Sequence, residues 1–449
     1  MTERCAVFTI DIQGSDKFTI QFKYMRSISL KPLILLLLVA CGNKPDQPAD
    51  TSTAAIDSTI VVPSGFVAKV AVPSLANNRH IAINSKGDIF VKLGELKDGK
   101  GIYVLRDSAG NGQYKVISSF GKYAGTGIAI KNGYLYASSN DEVFRYKLDS
   151  SGQVIDTSSP ERIITGLRSE SGFHDSKSIA LDNAGNIYVN IGAPSNVCMP
   201  DDHSKHAPDP CPLLENSGGI WQFKTDQPDQ SYPQGVRYAT GIRNIVGLDW
   251  NNQQNELYAM QHGRDILHNE FPGLYDDTAS AELPSEEFFW IKKGGDFGWP
   301  YCYYDQIQKK KLLNPEYGGD TKKEGRCAGV EQPLYGFPGH WAPNAVLFYT
   351  GTLFPERYRN GVFIAFHGSW NRTPLKQQGF CVAFLPFKDG KVTGNHEIFA
   401  SGFTGKDSLD GPNESRYRPC GLAQGPNGEL FISDSKQGRV WKVGYAKEN

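Results

Sequence analysis

Three things are scarce in these 449 residues: excess charge, long apolar runs and long amphipathic helical patterns. Lys and Arg number 47 against 48 Asp and Glu, a formal net charge of −1, so there is no electrostatic footprint for a nucleic-acid partner. The longest apolar stretch, residues 32–40, falls far short of the ~20 residues that span a bilayer, which excludes a transmembrane helix there. Without helical periodicity a bundle is excluded as well. What is plentiful, 48 Gly, 26 Pro and 12% aromatic residues, suits many short strands joined by tight turns. The expected class is all-β.

The N-terminus is read apart from the fold. From Met25 the sequence runs MRSISLKPLILLLLVACGN, with Arg26 and Lys31 ahead of a short apolar core. Leu38-Val39-Ala40-Cys41 resembles the bacterial lipoprotein signal box, in which the cysteine is lipidated. Residues 1–24 are therefore read as lying upstream of the true start, 25–40 as the signal peptide, and Cys41 as the lipidated residue. Residues 41–59, rich in Pro, Ser, Thr and Asp, form an expected flexible tether with nothing to bury. Gly42 after the cysteine favours, by analogy, an outer-membrane lipoprotein facing the periplasm and held by its lipid alone.

With Cys5 and Cys41 set aside, six cysteines remain: Cys198, Cys211, Cys302, Cys327, Cys381 and Cys420. An even set in an oxidising compartment points to three disulfides, and sequential pairing is the expected connectivity among about fifteen. The segment CMPDDHSKHAPDPC leaves a second reading open, a zinc site using His203 and His206.

Self-similarity carries the architecture. Six segments share one pattern of apolar strand, Gly or Asn turn, and second apolar strand, beginning at His80, Gly127, Ser178, Gly247, Ala345 and Gly421. The first three recur about every fifty residues, the length of one four-stranded propeller blade. Wider later gaps leave room for insertions at 193–217 and 264–340. A lone hairpin cannot bury both faces, so six copies imply a six-bladed β-propeller over residues 60–446. Closure is expected between TIVVPSGFVAKVAV and GRVWKVGY.

In such a ring the first strand of each repeat lies innermost, and the loops feeding these strands open on one end of the central channel. Those loops carry Asn78-Arg79-His80, Gly125-Thr126, His174-Asp175, Arg243-Asn244, His340-Trp341 with Asn344, and Arg416 with Arg418. A mouth so rich in guanidinium and imidazole suits an anionic ligand, since arginine forks grip carboxylates bidentately. Trp299 and Trp370 are read as packing residues.

At this point the chain resembles the soluble pyrroloquinoline quinone (PQQ)-dependent sugar dehydrogenases, more closely their L-sorbosone dehydrogenase branch. The resemblance covers roughly residues 60–445 and rests on GFHDSKSIALDNAGNIYVNIG, DPCPLLENSGGIW, YATGIRNIVGLDW, KKGGDFGWPYC, FHGSWNRT and RYRPCGLAQGPNGELFISD. It implies a six-bladed propeller that oxidises a sugar's anomeric alcohol or an aldehyde hydrate, with PQQ over the channel and Ca2+ beside it. It also implies an external electron acceptor and allows a homodimer.

Residue by residue, the resemblance makes His174 the proton acceptor and sets Arg243 beside the quinone with Asn244 as its neighbour. It assigns Arg416 and Arg418 to the cofactor carboxylates and His367 and Arg372 to the place of a cofactor-side lysine. The backbone carbonyls of Gly263 and Arg264 would ligate the cofactor's calcium, and Glu287 a second, structural calcium. One departure concerns the histidine: Ala193 stands where the glucose-oxidising branch has an orienting aspartate, and Asp175 is the available substitute. Two other readings remain open: a propeller without redox chemistry that binds carbohydrate or protein, and a metal-dependent lactonase-type propeller.

Overall fold

A computed structural model describes residues 53–169, 174–199 and 205–446. The signal segment, Cys41, His203 and most of the tether lie outside the described residues. Several repeats turn through a side chain that supplies acceptors for the amides the hairpin leaves over. Asn84 Oδ1 accepts from the amides of Lys86 and Asp88 at 3.0 and 2.9 Å. Asp182 Oδ1 does the same for Ala184 and Asn186, both at 2.8 Å. Gly87 and Gly185 take the positive φ values, 89° and 78°, that complete these turns.

The strands assemble into six antiparallel blades. Their first strands are Asn78–Ile83, Ile128–Lys131, Ile179–Leu181, Ile245–Asn251, Pro343–Phe348 and Pro419–Gln424, for blades one to six in order. Each is the innermost strand of its blade, and residues of all six line a channel cavity of about 440 Å³. Six apolar clusters fill the spaces between neighbouring blades, one per pair around the ring. The ring closes as expected. Phe66–Val72 becomes the outer strand of blade six, pairing antiparallel with Val440–Tyr445 and setting Phe66 opposite Tyr445.

Three expectations are corrected. The insertion at 264–340 contains the third and fourth strands of blade four, Glu286–Ile291 and Tyr335–Phe337, besides two short helices and a hairpin. The end of the tether is not idle. The Ala54 amide donates to Asn111 O at 2.7 Å, and Asp57 Oδ2 accepts from Arg439 Nη1 at 3.0 Å and Trp441 Nε1 at 2.9 Å. Residues 54–59 thus reinforce the closing blade.

The third correction concerns the cysteines. Cys198–Cys211 and Cys302–Cys327 are bonded, the first displacing the zinc reading of that segment. Cys381 and Cys420 are separate, buried thiols. They sit on strands of different blades, and Cys420 Sγ accepts a long hydrogen bond from Asn344 Nδ2 at 3.7 Å. We therefore expect residues 53–446 to give two free thiols with an aromatic disulfide reagent, and only after denaturation. A count of zero would mean that the third pair does form.

Candidate active site at the channel mouth

The feeder loops meet where the inner strands begin. His174 adopts φ of 52° at the lip of blade three, and its ring Nδ1 donates to the carbonyl of Ala193 at 2.6 Å. With Nδ1 protonated, the neutral ring carries its lone pair on Nε2. At position 193 it is thus the main chain, not the side chain, that meets the imidazole. Gly192 makes this possible. A Cβ there would lie 2.6 Å from His174 Cβ and 2.7 Å from its carbonyl oxygen.

Arg243 is buried and almost fully engaged. Nη1 donates to Gly263 O at 2.8 Å and Nη2 to Asp265 Oδ2 at 2.9 Å, while Nε is buried with no partner. Asp265 is a hub that the sequence reading missed. Its carboxylate also accepts from Asn371 Nδ2 at 2.6 Å and meets His340 Nδ1 at 3.4 Å. Burial alone would raise its pKa, but the Arg243 charge and the His340 contact hold it well below the usual range. Burial likewise opposes protonation of His340, yet the bond and charge of Asp265 win and raise its pKa. Asn244 packs behind, its Oδ1 accepting from Asn190 Nδ2 at 3.3 Å.

Two further guanidiniums have only neutral partners. Arg79 donates to Thr126 Oγ1 at 3.2 Å and to Ser176 Oγ at 3.4 Å, bridging blades one, two and three. Arg418 donates to the carbonyls of His367, Gly368 and Ser369 at 3.0, 2.8 and 3.0 Å. No carboxylate offsets either charge among the described residues. The histidines beside them are correspondingly kept neutral. Burial, reinforced by Arg243, brings His174 down to about 3. Burial takes His262 and His80 down to about 4, with neighbouring arginines adding to it. His367, whose Nε2 bonds Ser435 Oγ at 2.7 Å, is pushed down by burial and Arg418. His80 Nε2 donates to Asn344 O at 2.7 Å, reaching from blade one to blade five as a floor under the mouth.

Several expected members of the site lie elsewhere. Arg372 is sealed inside the loop, its guanidinium bonded to Glu282 Oε1 at 2.5 Å and to the carbonyls of Ala281 and Gly339. Arg416 is exposed and lies over the Tyr417 ring at 5.1 Å, so it does not pair with Arg418. Glu287 meets an ammonium where calcium was expected: Lys311 Nζ stands 3.1 Å from its Oε2, both side chains buried. The Arg264 side chain is turned to Glu316 at 2.6 Å. Among the described residues no three His, Cys, Asp or Glu side chains gather as a metal-ligand set. Arg79 and His262 were legible as feeder-loop and strand-end residues; Asp265 carried no sequence signal beyond its place in QHGRD.

A neutral imidazole oriented by its Nδ1–H, beside uncompensated guanidiniums, can take a proton from a bound hydroxyl while anionic groups are clamped nearby. Comparisons with known proteins identify relatives of the whole propeller. Residues 60–446 match a family model described as TrAA12-like. An uncharacterized protein of Borreliella burgdorferi is 26% identical over 403 residues, covering 87% of this chain and 92% of that one. A Hypocrea jecorina pyrroloquinoline quinone-dependent sugar dehydrogenase is 21% identical over 406 residues, covering 85% and 88%. The calcium structure of a Trichoderma reesei carbohydrate-active enzyme of family AA12 superposes with a TM-score of 0.69 at 18% identity, covering 88% of this chain and 98% of that chain.

Two outcomes test this geometry. A base at His174 would act when deprotonated, and a lowered pKa would keep it so into acid, so the acid limb of kcat/KM should lie below pH 5. A limb near the unperturbed value of ~6.5 would contradict the assigned burial. Gly192→Ala should displace the His174 loop and cut turnover at least tenfold with little change in cofactor affinity, read by kinetics and fluorescence titration.

Proposed function

The chain belongs to the TrAA12-like family, and from that premise we propose that it is a PQQ-dependent oxidoreductase acting on a sugar. The observation that carries this reading is the mouth itself: among the described residues Arg79 and Arg418 have no carboxylate partner, and Arg243 stands beside an imidazole whose Nδ1 is bonded to a carbonyl, so that its lone pair lies on Nε2. The donor set fits PQQ, which bears three carboxylates and a quinone. Arg79 and Arg418 would hold carboxylates, and the buried, unpartnered Nε of Arg243 supplies a further donor. When bound, PQQ supplies an electrophilic quinone that accepts hydride.

The chain's own part is to take and stabilise charge. His174 Nε2 takes the proton from the anomeric hydroxyl or aldehyde hydrate, and the Ala193 carbonyl keeps Nδ1–H in place so that only Nε2 can serve as base. Arg243 holds positive charge close by without moving, since Asp265 and Gly263 O fix both of its terminal nitrogens. Burial of Arg243 in a low-dielectric setting strengthens that charge.

Within this reading we place calcium with the cofactor only. The Gly263 and Arg264 carbonyls are two oxygens, one already accepting from Arg243, whereas calcium takes 6–8. The remainder would come from PQQ and water, so calcium affinity should depend on PQQ. The finer features follow the sequence: a glucose- or sorbosone-type substrate, an external electron acceptor, a possible homodimer, and lipid attachment through Cys41 at the periplasmic face of an outer membrane. The two disulfides support an oxidising compartment.

The test is reconstitution of purified protein with PQQ and Ca2+, followed by dye reduction with aldoses and sorbosone. We expect His174→Ala to abolish turnover with PQQ still bound, and Arg418→Met to weaken PQQ binding at least tenfold. Absence of PQQ binding by the wild type would overturn the proposal.

A further inference from the structure

Tryptophan is the side chain a folded protein most readily buries in part, and here the others obey that rule. Trp299 is buried, its Nε1 donating to Asn196 O at 3.1 Å, as a packing residue should. Trp370 is 56% exposed, the only exposed aromatic side chain among the described residues. Its position in the fold makes this informative. Ser369, on one side, gives its carbonyl to Arg418 Nη2 at 3.0 Å. Asn371, on the other, donates Nδ2 to Asp265 at 2.6 Å, and Asp265 in turn holds Arg243. The indole therefore stands on the short segment that joins the two cationic halves of the mouth.

Nor is the exposure a product of slack in the chain. Ser369 is fully buried, its Oγ donating to Gln377 Oε1 at 2.6 Å and its amide to Gln378 O at 2.8 Å. Arg372 is 1% exposed and tied to Glu282, Ala281, Gly339 and Lys376 O. Gly368 at φ 93° leaves no room for a Cβ, which would meet the Phe380 ring at 2.2 Å. Both flanks are pinned, so the loop holds a large apolar face in water at a fixed place between the Arg418 and Asp265 contacts. That arrangement gives up the burial an indole would gain elsewhere, and a rigid platform binds with little further entropy cost.

We propose that Trp370 is a substrate-specificity residue: the platform on which the apolar C–H face of a pyranose ring stacks while its anomeric hydroxyl reaches His174. The inference deepens the dehydrogenase reading and rests on it for the identity of the ligand as a sugar. A ring-shaped substrate would use the platform; a short open-chain aldehyde hydrate has no face to lay on it.

The experiment separates the two readings. Affinity is measured by calorimetry with methyl pyranosides, which lack a free anomeric hydroxyl and cannot be oxidised, on the PQQ-loaded wild type, Trp370→Ala and Trp370→Phe. We expect at least tenfold weaker binding in Trp370→Ala, recovery to within about threefold in Trp370→Phe, and unchanged PQQ affinity and melting temperature in both. In turnover, kcat/KM for aldopyranoses should fall by the same factor in Trp370→Ala, while kcat/KM for glyceraldehyde stays at the wild-type value. Equal pyranoside affinity in wild type and Trp370→Ala, no pyranoside binding by the wild type, or an equal loss with glyceraldehyde would each overturn the platform. Pyranoside binding that depends on Trp370 in a protein that turns over no sugar would keep the platform and overturn the dehydrogenase reading.

Discussion

Closure of the ring is the constraint on which everything else depends. A blade has two apolar faces and can bury both only between neighbours, so an open array would expose one face at each end. The chain resolves this by lending its first strand, Phe66–Val72, to the last blade, and by laying residues 54–59 along the seam. Asp57 fastens that seam to Arg439 and Trp441. With the ring shut, the six inner strands are forced to converge, and the loops that feed them have no choice but to share one mouth.

The electrostatics of that mouth follow from burial. Arg79 and Arg418 are held by hydroxyls and carbonyls, partners that fix direction without cancelling charge. Arg243 is the exception, because Asp265 neutralises it in part while leaving Nε unsatisfied. The same charges and the same low dielectric keep His174, His262 and His367 unprotonated. A positive field and a neutral base are thus one arrangement seen from two sides. It favours an anionic cofactor and a hydroxyl to be deprotonated together.

Much of this was legible in the residues. The hairpin pattern with its Asn and Asp turns announced the blades, and the feeder loops pointed to Arg79, His174, Arg243, His340 and Arg418, which folding brings to one end of the channel. The residues that take other partners share a cause. Arg372, Arg416 and Glu287 stood in motifs of the right composition, but motif position does not say where a long side chain finds its partner. Glu282 claims Arg372, Lys311 claims Glu287, and Arg416 stays at the surface. Cys381 and Cys420 erred in the same way, since pairing by order ignores that the two lie on strands of different blades.

The sequence by itself determined the fold class, the number of blades, the closing strands and the end of the channel where chemistry gathers, because these follow from periodicity and chain order. Only the tertiary structure decided how the histidine is oriented. The sequence offered Ala193, a side chain with nothing to donate or accept, and so a missing function. Folding brings its backbone carbonyl to 2.6 Å from His174 Nδ1, through a gap that Gly192 leaves open. A main-chain oxygen is present at every residue and leaves no mark in the sequence; which one meets an imidazole is settled by packing alone.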